Sequence, residues 1–96
     1  MKEFIKQTLV EFYRTCPTDK YGQVGRSNFT EGIFGDKAKE VREYVKENKG
    51  ILSLSTYAAS YGGTYKAYSI VDEDIKRECS KALRQNKNYL RNINSY

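Results

Sequence analysis

Apolar residues recur along this chain with two different periods, and each change of period marks an element. Phe4, Ile5, Leu9, Phe12, Tyr13 and Cys16 fall at helical spacing, which predicts a helix over 2–15 ended by Pro17. A polar loop with Asp19 and Gly22 follows over 18–24. A short helix is expected over 28–34. Asn28 and Glu31 have the spacing of a capping box, and Phe29 and Ile33 lie one turn apart. Gly35 breaks this helix and Asp36 is placed to cap the next, over 36–48. That third helix has an apolar face of Ala38, Val41 and Val45, with Tyr44 at its edge. A basic flank holds Lys39, Arg42, Lys46 and Lys49, and an acidic flank holds Asp36, Glu40, Glu43 and Glu47. Pairs such as Lys39 with Glu43 are expected within it.

Between 51 and 71 the period falls to two, and Lys66 is the only charge. Gly62-Gly63 reads as a two-residue hairpin turn. Closing on it pairs Tyr61 with Thr64, Tyr57 with Tyr68 and Leu54 with Val71. Leu52, Leu54, Ala58, Tyr65, Ala67 and Val71 then share a core face. Ser53, Ser55, Tyr57, Tyr61, Lys66 and Tyr68 share a polar, tyrosine-rich face. Asp72 is a natural N-cap for a last helix reaching about residue 92, with Glu73 and Asp74 in its first turn and a fraying tail from Asn92. Ile75, Cys79, Ala82, Leu83, Leu90 and Ile93 mark its buried side. Lys76, Arg77, Lys81, Arg84, Lys87 and Arg91 fall on the opposite side, within about 140° of the helical wheel. The expectation is one α+β domain over 1–96, a small winged helix-like fold with three or four helices and one two-stranded antiparallel hairpin.

Charge and composition narrow the function classes. The 96 residues carry 17 Lys and Arg against 12 Asp and Glu, a net charge of +5, and no acid follows Glu78. A positive face free of acids suits a polyanionic partner, although a solvated basic helix has the same pattern. Histidine is absent, which removes histidine bases, histidine metal ligands and the usual nucleophilic triads. Cys16 and Cys79 lie far apart on apolar helix faces and read as reduced, buried side chains. No cofactor, no metal site and no enzymatic activity are expected. No apolar run is long enough to span a membrane, and no signal peptide is evident, so a cytoplasmic location is expected.

One stretch carries a family likeness. Gly25-Arg26, then Phe29 and Ile33, then Gly35-Asp36-Lys37 are followed by Leu54-Ser55-Thr56-Tyr57. Over residues 25–57 this resembles the RecQ C-terminal domain, the winged-helix module of RecQ-type DNA helicases. The resemblance implies DNA contact through a winged helix. Phe34 and Asp36 stand where that family often has the arginine and serine that approach phosphate. On the family's register, residues 72–88 would be the helix before the wing, and 51–71 an insertion. No GxxxxGK[ST] phosphate loop is present, so no motor is implied.

The candidate nucleic-acid contacts are therefore Lys76, Arg77, Lys81, Arg84, Lys87 and Arg91, then Lys37, Lys39, Arg42, Lys46 and Lys49, then Lys66 with Tyr57, Tyr61 and Tyr68. Tyrosines on one ribbon face suit stacking on unpaired bases, and equally suit cross-strand packing or a protein interface. Arg26 and Ser27 could present a side chain and a helix start to a phosphate, or simply a structural cap. The expected partner is nucleic acid, DNA before RNA, with little sequence preference. The other class is a small protein-binding inhibitor or regulator that occupies a nucleic-acid-handling partner.

Overall fold

A computed structural model describes residues 1–94. Helix α1 spans Lys2–Thr15 and buries Ile5 and Leu9, as its periodicity predicts. Pro17 follows the extended Cys16 and cannot continue the helix. The chain then crosses to two 3-10 segments, Arg26–Asn28 and Glu31–Lys37, in place of the α-helix expected over 28–34. Asn28 makes no capping box, since it closes the first segment and Thr30 precedes the second. Gly35 adopts φ 53° and ψ −129°, a backbone conformation essentially confined to glycine, and turns the chain into α2, Ala38–Glu47. The residue before α2 is Lys37, so Asp36 does not cap it.

Strands β1, Leu52–Ala58, and β2, Thr64–Ile70, form one antiparallel hairpin. The hairpin stands where the alternation placed it, but the register does not. Leu54 pairs with Tyr68 and Tyr57 with Tyr65. The loop is wider than Gly62-Gly63. Gly62 N donates to Ala59 O at 3.2 Å and Ala59 N donates to Gly63 O at 3.1 Å, leaving Ser60, Tyr61 and Gly62 as a three-residue loop. Gly62 and Gly63 both have positive φ, and the left-handed residue that closes such a loop is Gly62. Relative to the two-residue turn, β2 slips by three positions. An odd slip exchanges the faces of one strand against the other. Tyr68 therefore joins Leu52 and Leu54 on the core side, while Tyr65 joins Tyr57 on the outer side.

Helices α3, Glu73–Arg84, and α4, Lys87–Ile93, replace the single long helix. Asp72 caps α3 as expected, accepting from Ile75 N at 3.0 Å. The break falls at Gln85-Asn86. Asn86 is completely buried and caps α4, accepting from Asn88 N and Tyr89 N. Leu90 and Ile93 are consequently not buried. Asn92, where the sequence predicts the start of a fraying tail, is held in place, since its amide donates to Thr18 O at 3.1 Å and Asp19 O at 3.0 Å; the last two residues of that tail, 95 and 96, lie outside the described residues.

The core is a row of rings between α1, the 3-10 segments and β2. Phe4 meets Phe34, Phe34 meets Tyr68, Tyr68 meets Phe29, and Phe29 meets Phe12 and Tyr13. Val41, Val45, Ile51, Ile75 and Cys79 complete it. Tyr68 N also donates to Phe29 O at 2.8 Å, so the segment at Phe29 runs along the outer edge of β2. The result is α+β, with four α-helices and one hairpin among the described residues, an order compatible with a small winged helix-like domain.

Candidate nucleic-acid interface

Three side chains meet on the outer face of the hairpin. The Tyr57 and Tyr65 rings lie 5.8 Å apart at 34°, and the Arg26 guanidinium lies 4.1 Å above the Tyr57 ring. The cross-strand register puts the two tyrosines opposite each other. The 3-10 segment beside β2 delivers Arg26 across the strand. Arg26 has no carboxylate partner among the described residues. A guanidinium on a ring is a weakly hydrated cation, suited to phosphate or to a stacked base. Tyr61 projects from the loop and is 92% exposed.

Tyr68 does not belong to this surface. It is buried among Phe29 and Phe34, and its hydroxyl is buried without a hydrogen-bond partner among the described residues. Burial, and then the Glu31 charge, push its phenol up to about 12, with Arg42 opposing. Lys66 shares the register parity of Tyr68, so it is exposed on the other side of the ribbon from Tyr57. The expected tyrosine face is thus corrected to Tyr57 and Tyr65, with Tyr61 at the tip.

The basic residues divide between two surfaces. A cleft of about 630 Å³ lies between the 19–29 segment, β2 and α3, with Asp19, Arg26, Ser69, Lys76 and Ser80 among its polar lining and Phe29 and Leu83 among its apolar lining. Arg26 is the member of the Arg26–Tyr57–Tyr65 cluster that lines this cleft, and Lys76, Cys79, Ser80 and Leu83 line it from α3. The basic stripe continues on α3 through Arg84, but three of its members hold acids one turn back. Lys76 pairs with Glu73 at 3.4 Å, Arg77 with Asp74 at 2.7 Å and Lys81 with Glu78 at 3.5 Å. Such exposed pairs contribute little and yield readily to a phosphate. Arg84 and Lys87 flank the helix break and have no acid partner among the described residues. Lys87 and Arg91 sit on α4, so the six cations do not form one continuous helical stripe. Arg91 donates to Asn88 Oδ1 at 2.9 Å.

The α2 cations lie elsewhere. Arg42, Lys46 and Lys49 line a separate groove of about 410 Å³ with Val45, Leu52 and Leu54. Arg42 forks onto Glu31 at 2.6 and 3.1 Å, and Lys37 pairs with Glu40 at 3.7 Å. These pairs replace the expected Lys39–Glu43 pair, and Lys39 is exposed.

Arg26, which the sequence offers as a phosphate contact or a structural cap, lies in this cluster, whereas Tyr65 is the residue the sequence pattern left out of the interface. Gly25-Arg26 is a visible signal for the first. The second depends on the register, and only the loop width sets that. Both cysteines are free and buried, and burial pushes the Cys79 thiol up to about 12 and the Cys16 thiol upward, which disfavours a thiolate nucleophile. No helix among the described residues is long and apolar enough to cross a membrane. Compared with known protein families, curated proteins and solved structures, the chain matches none of them, so the reading of this surface rests on its own geometry.

Proposed function

We propose that this chain is a small non-enzymatic nucleic-acid-binding protein of the winged-helix kind, acting in the cytoplasm and taking DNA with little sequence preference. The observation that carries this is the junction at Arg26. One guanidinium stacks on Tyr57, whose ring neighbours Tyr65, and also lines the cleft that leads to Lys76 and α3. Aromatic platforms beside tracks of cations are how proteins hold single strands, with bases on the rings and phosphates on the cations. Arg84 and Lys87 lie further along the chain at the end of α3 and the start of α4, and have no acid partner among the described residues. Contacts of this kind position a backbone and read no sequence.

Fluorescence anisotropy with labelled single-stranded, forked and blunt DNA tests the proposal. Binding should weaken steeply with salt, because each neutralised phosphate releases condensed counterions. Arg84→Glu with Lys87→Glu should weaken binding about tenfold or more while the circular dichroism spectrum is unchanged. Absence of binding by the wild type at low salt overturns the proposal.

A further inference from the structure

We infer that the open edge of β1 is a docking strand for an extended acidic peptide segment of a partner protein, seated between β1 and the C-terminal half of α2. This surface is separate from the Arg26 cleft, and the inference does not depend on nucleic-acid binding.

Three observations converge on this edge. The first is its hydrogen bonding. Val71 N donates to Ile51 O at 2.9 Å, and Ala59 N donates to Gly63 O at 3.1 Å. Both fit the register in which Ser53, Ser55 and Tyr57 face Ser69, Ala67 and Tyr65 as bonded pairs. Antiparallel alternation then turns the amide and carbonyl groups of Leu54, Thr56 and Ala58 away from β2. On β2 the same alternation turns Tyr68 N outward, where Phe29 O accepts from it. The β2 edge is therefore covered at that point. No backbone partner meets Leu54, Thr56 or Ala58 on the β1 side among the described residues.

The second observation is the lack of any guard within the strand itself. Edge strands in monomeric proteins are protected by charges, proline or bulges. Residues 52–58 read Leu-Ser-Leu-Ser-Thr-Tyr-Ala, with no charge and no proline, and their register is unbroken.

The third is the groove alongside. Val45, Leu52 and Leu54 give it an apolar floor, and Arg42, Lys46 and Lys49 give it a cationic rim. Arg42 is held by Glu31, but Lys46 and Lys49 have no acid partner among the described residues. An added strand would gain backbone bonds from β1, apolar contact from the floor and charge pairing from the rim. Strand addition of this kind takes affinity from the main chain and specificity from the flanking pockets. The rim selects acids. A second copy of the chain would bring another β1, which is uncharged and leaves Lys46 and Lys49 unanswered.

The test uses the full-length, isotope-labelled protein and a blocked synthetic peptide with three central valines flanked on each side by two glutamates. The expected result is amide exchange slowed about tenfold or more at Leu54, Thr56 and Ala58, with Ser53, Ser55 and Tyr57 unchanged because β2 already protects them. A peptide with lysine in place of each glutamate should bind at least about tenfold more weakly. Thr56→Pro removes an outward amide and should abolish peptide binding. Lys46→Glu with Lys49→Glu leaves the strand intact and should reverse the preference between the two peptides, which keeps the test decisive if the proline variant misfolds. Lack of protection at the three amides overturns the inference. So does protection that rises with protein concentration alone alongside a doubled mass in sedimentation, which assigns the edge to a second copy. Protection of the same amides by DNA overturns it as well.

Discussion

The side-chain amide of Asn86 donates to the Tyr13 carbonyl at 2.8 Å, and so ties the start of α4 to the end of α1 across 73 positions of sequence. The same nitrogen reaches Cys16 O at 3.0 Å, while its oxygen accepts from Asn88 N at 2.7 Å and Tyr89 N at 3.2 Å. One buried carboxamide thus satisfies carbonyls left over at a helix C-terminus and amides left over at a helix N-terminus. It also explains why the basic stripe breaks after Arg84.

Asn86→Ala should therefore cost about 3 kcal/mol, because it removes a cap and strands buried backbone groups on both helices. Asn86→Asp keeps the capping oxygen but points an acceptor at two carbonyl oxygens, so it should lose a similar amount. Urea denaturation measures both. An aspartate variant as stable as wild type would show that the cap alone matters.

That residue also marks where the sequence stops being legible. Helix α1 could be read because its apolar spacing and Pro17 agree. The start of α3 could be read because Asp72, Glu73 and Asp74 all favour a helix N-terminus. The α3–α4 break could not, since Gln85-Asn86 contains neither glycine nor proline and the apolar period runs on to Ile93. Its cause lies in Tyr13 and Cys16, far away in sequence. The hairpin was visible in the alternation, but its register turned on whether Gly62-Gly63 or Ser60-Tyr61-Gly62 formed the loop. Both choices suit glycine at positive φ. That single ambiguity moved Tyr68 into the core and Tyr65 out of it, and with them the composition of the candidate site. Phe34, odd against the RecQ C-terminal pattern, has a packing role between Phe4 and Tyr68.

Tyr68→Phe should leave stability unchanged or raise it by about 1 kcal/mol, since it removes a buried hydroxyl that lacks a partner. The stability that Tyr68 contributes should hold below pH 10, where tyrosine ionises in the unfolded chain, and be lost as pH rises toward the folded value of about 12. Tyr13, also pushed up to about 12 by burial, contributes to the same decline. The phenylalanine variant should therefore show a shallower loss. Denaturation midpoints from pH 9 to 11 measure it, and equal slopes would remove Tyr68 from the effect.

Asp72 governs the acid side. The Ile75 amide, then the Lys2 ammonium at 3.0 Å, hold its carboxyl below the usual range. The stability it contributes is present above the unfolded carboxylate value, near 4, and is lost as pH falls through the folded one. Asp72→Ala should cost about 1 kcal/mol at neutral pH, as loss of an N-cap does. Asp72→Asn keeps an oxygen for Ile75 and should cost less. The gap between wild type and the asparagine variant should close as pH is lowered below about 4, which urea titrations at several pH values will show.

Arg26 has two separable roles in the proposed interface. Its charge can neutralise a phosphate, and its plane covers the Tyr57 ring at 4.1 Å. Lysine keeps the charge but loses the flat, weakly hydrated group. Arg26→Lys should thus lower affinity for single-stranded DNA while leaving the dependence on salt nearly unchanged. Arg26→Ala removes the charge as well, so the slope of log K against log salt should become shallower by about 0.7 for a single strand. Tyr57→Ala removes the ring and should cost about 1–3 kcal/mol on single strands, with little change on blunt duplex whose bases are already stacked. Anisotropy titrations over a salt series separate these outcomes. If Arg26→Lys and Arg26→Ala change the salt slope equally, the guanidinium acts only as a charge. If Tyr57→Ala weakens blunt and single-stranded DNA alike, the ring supports the fold of the hairpin and does not stack on bases.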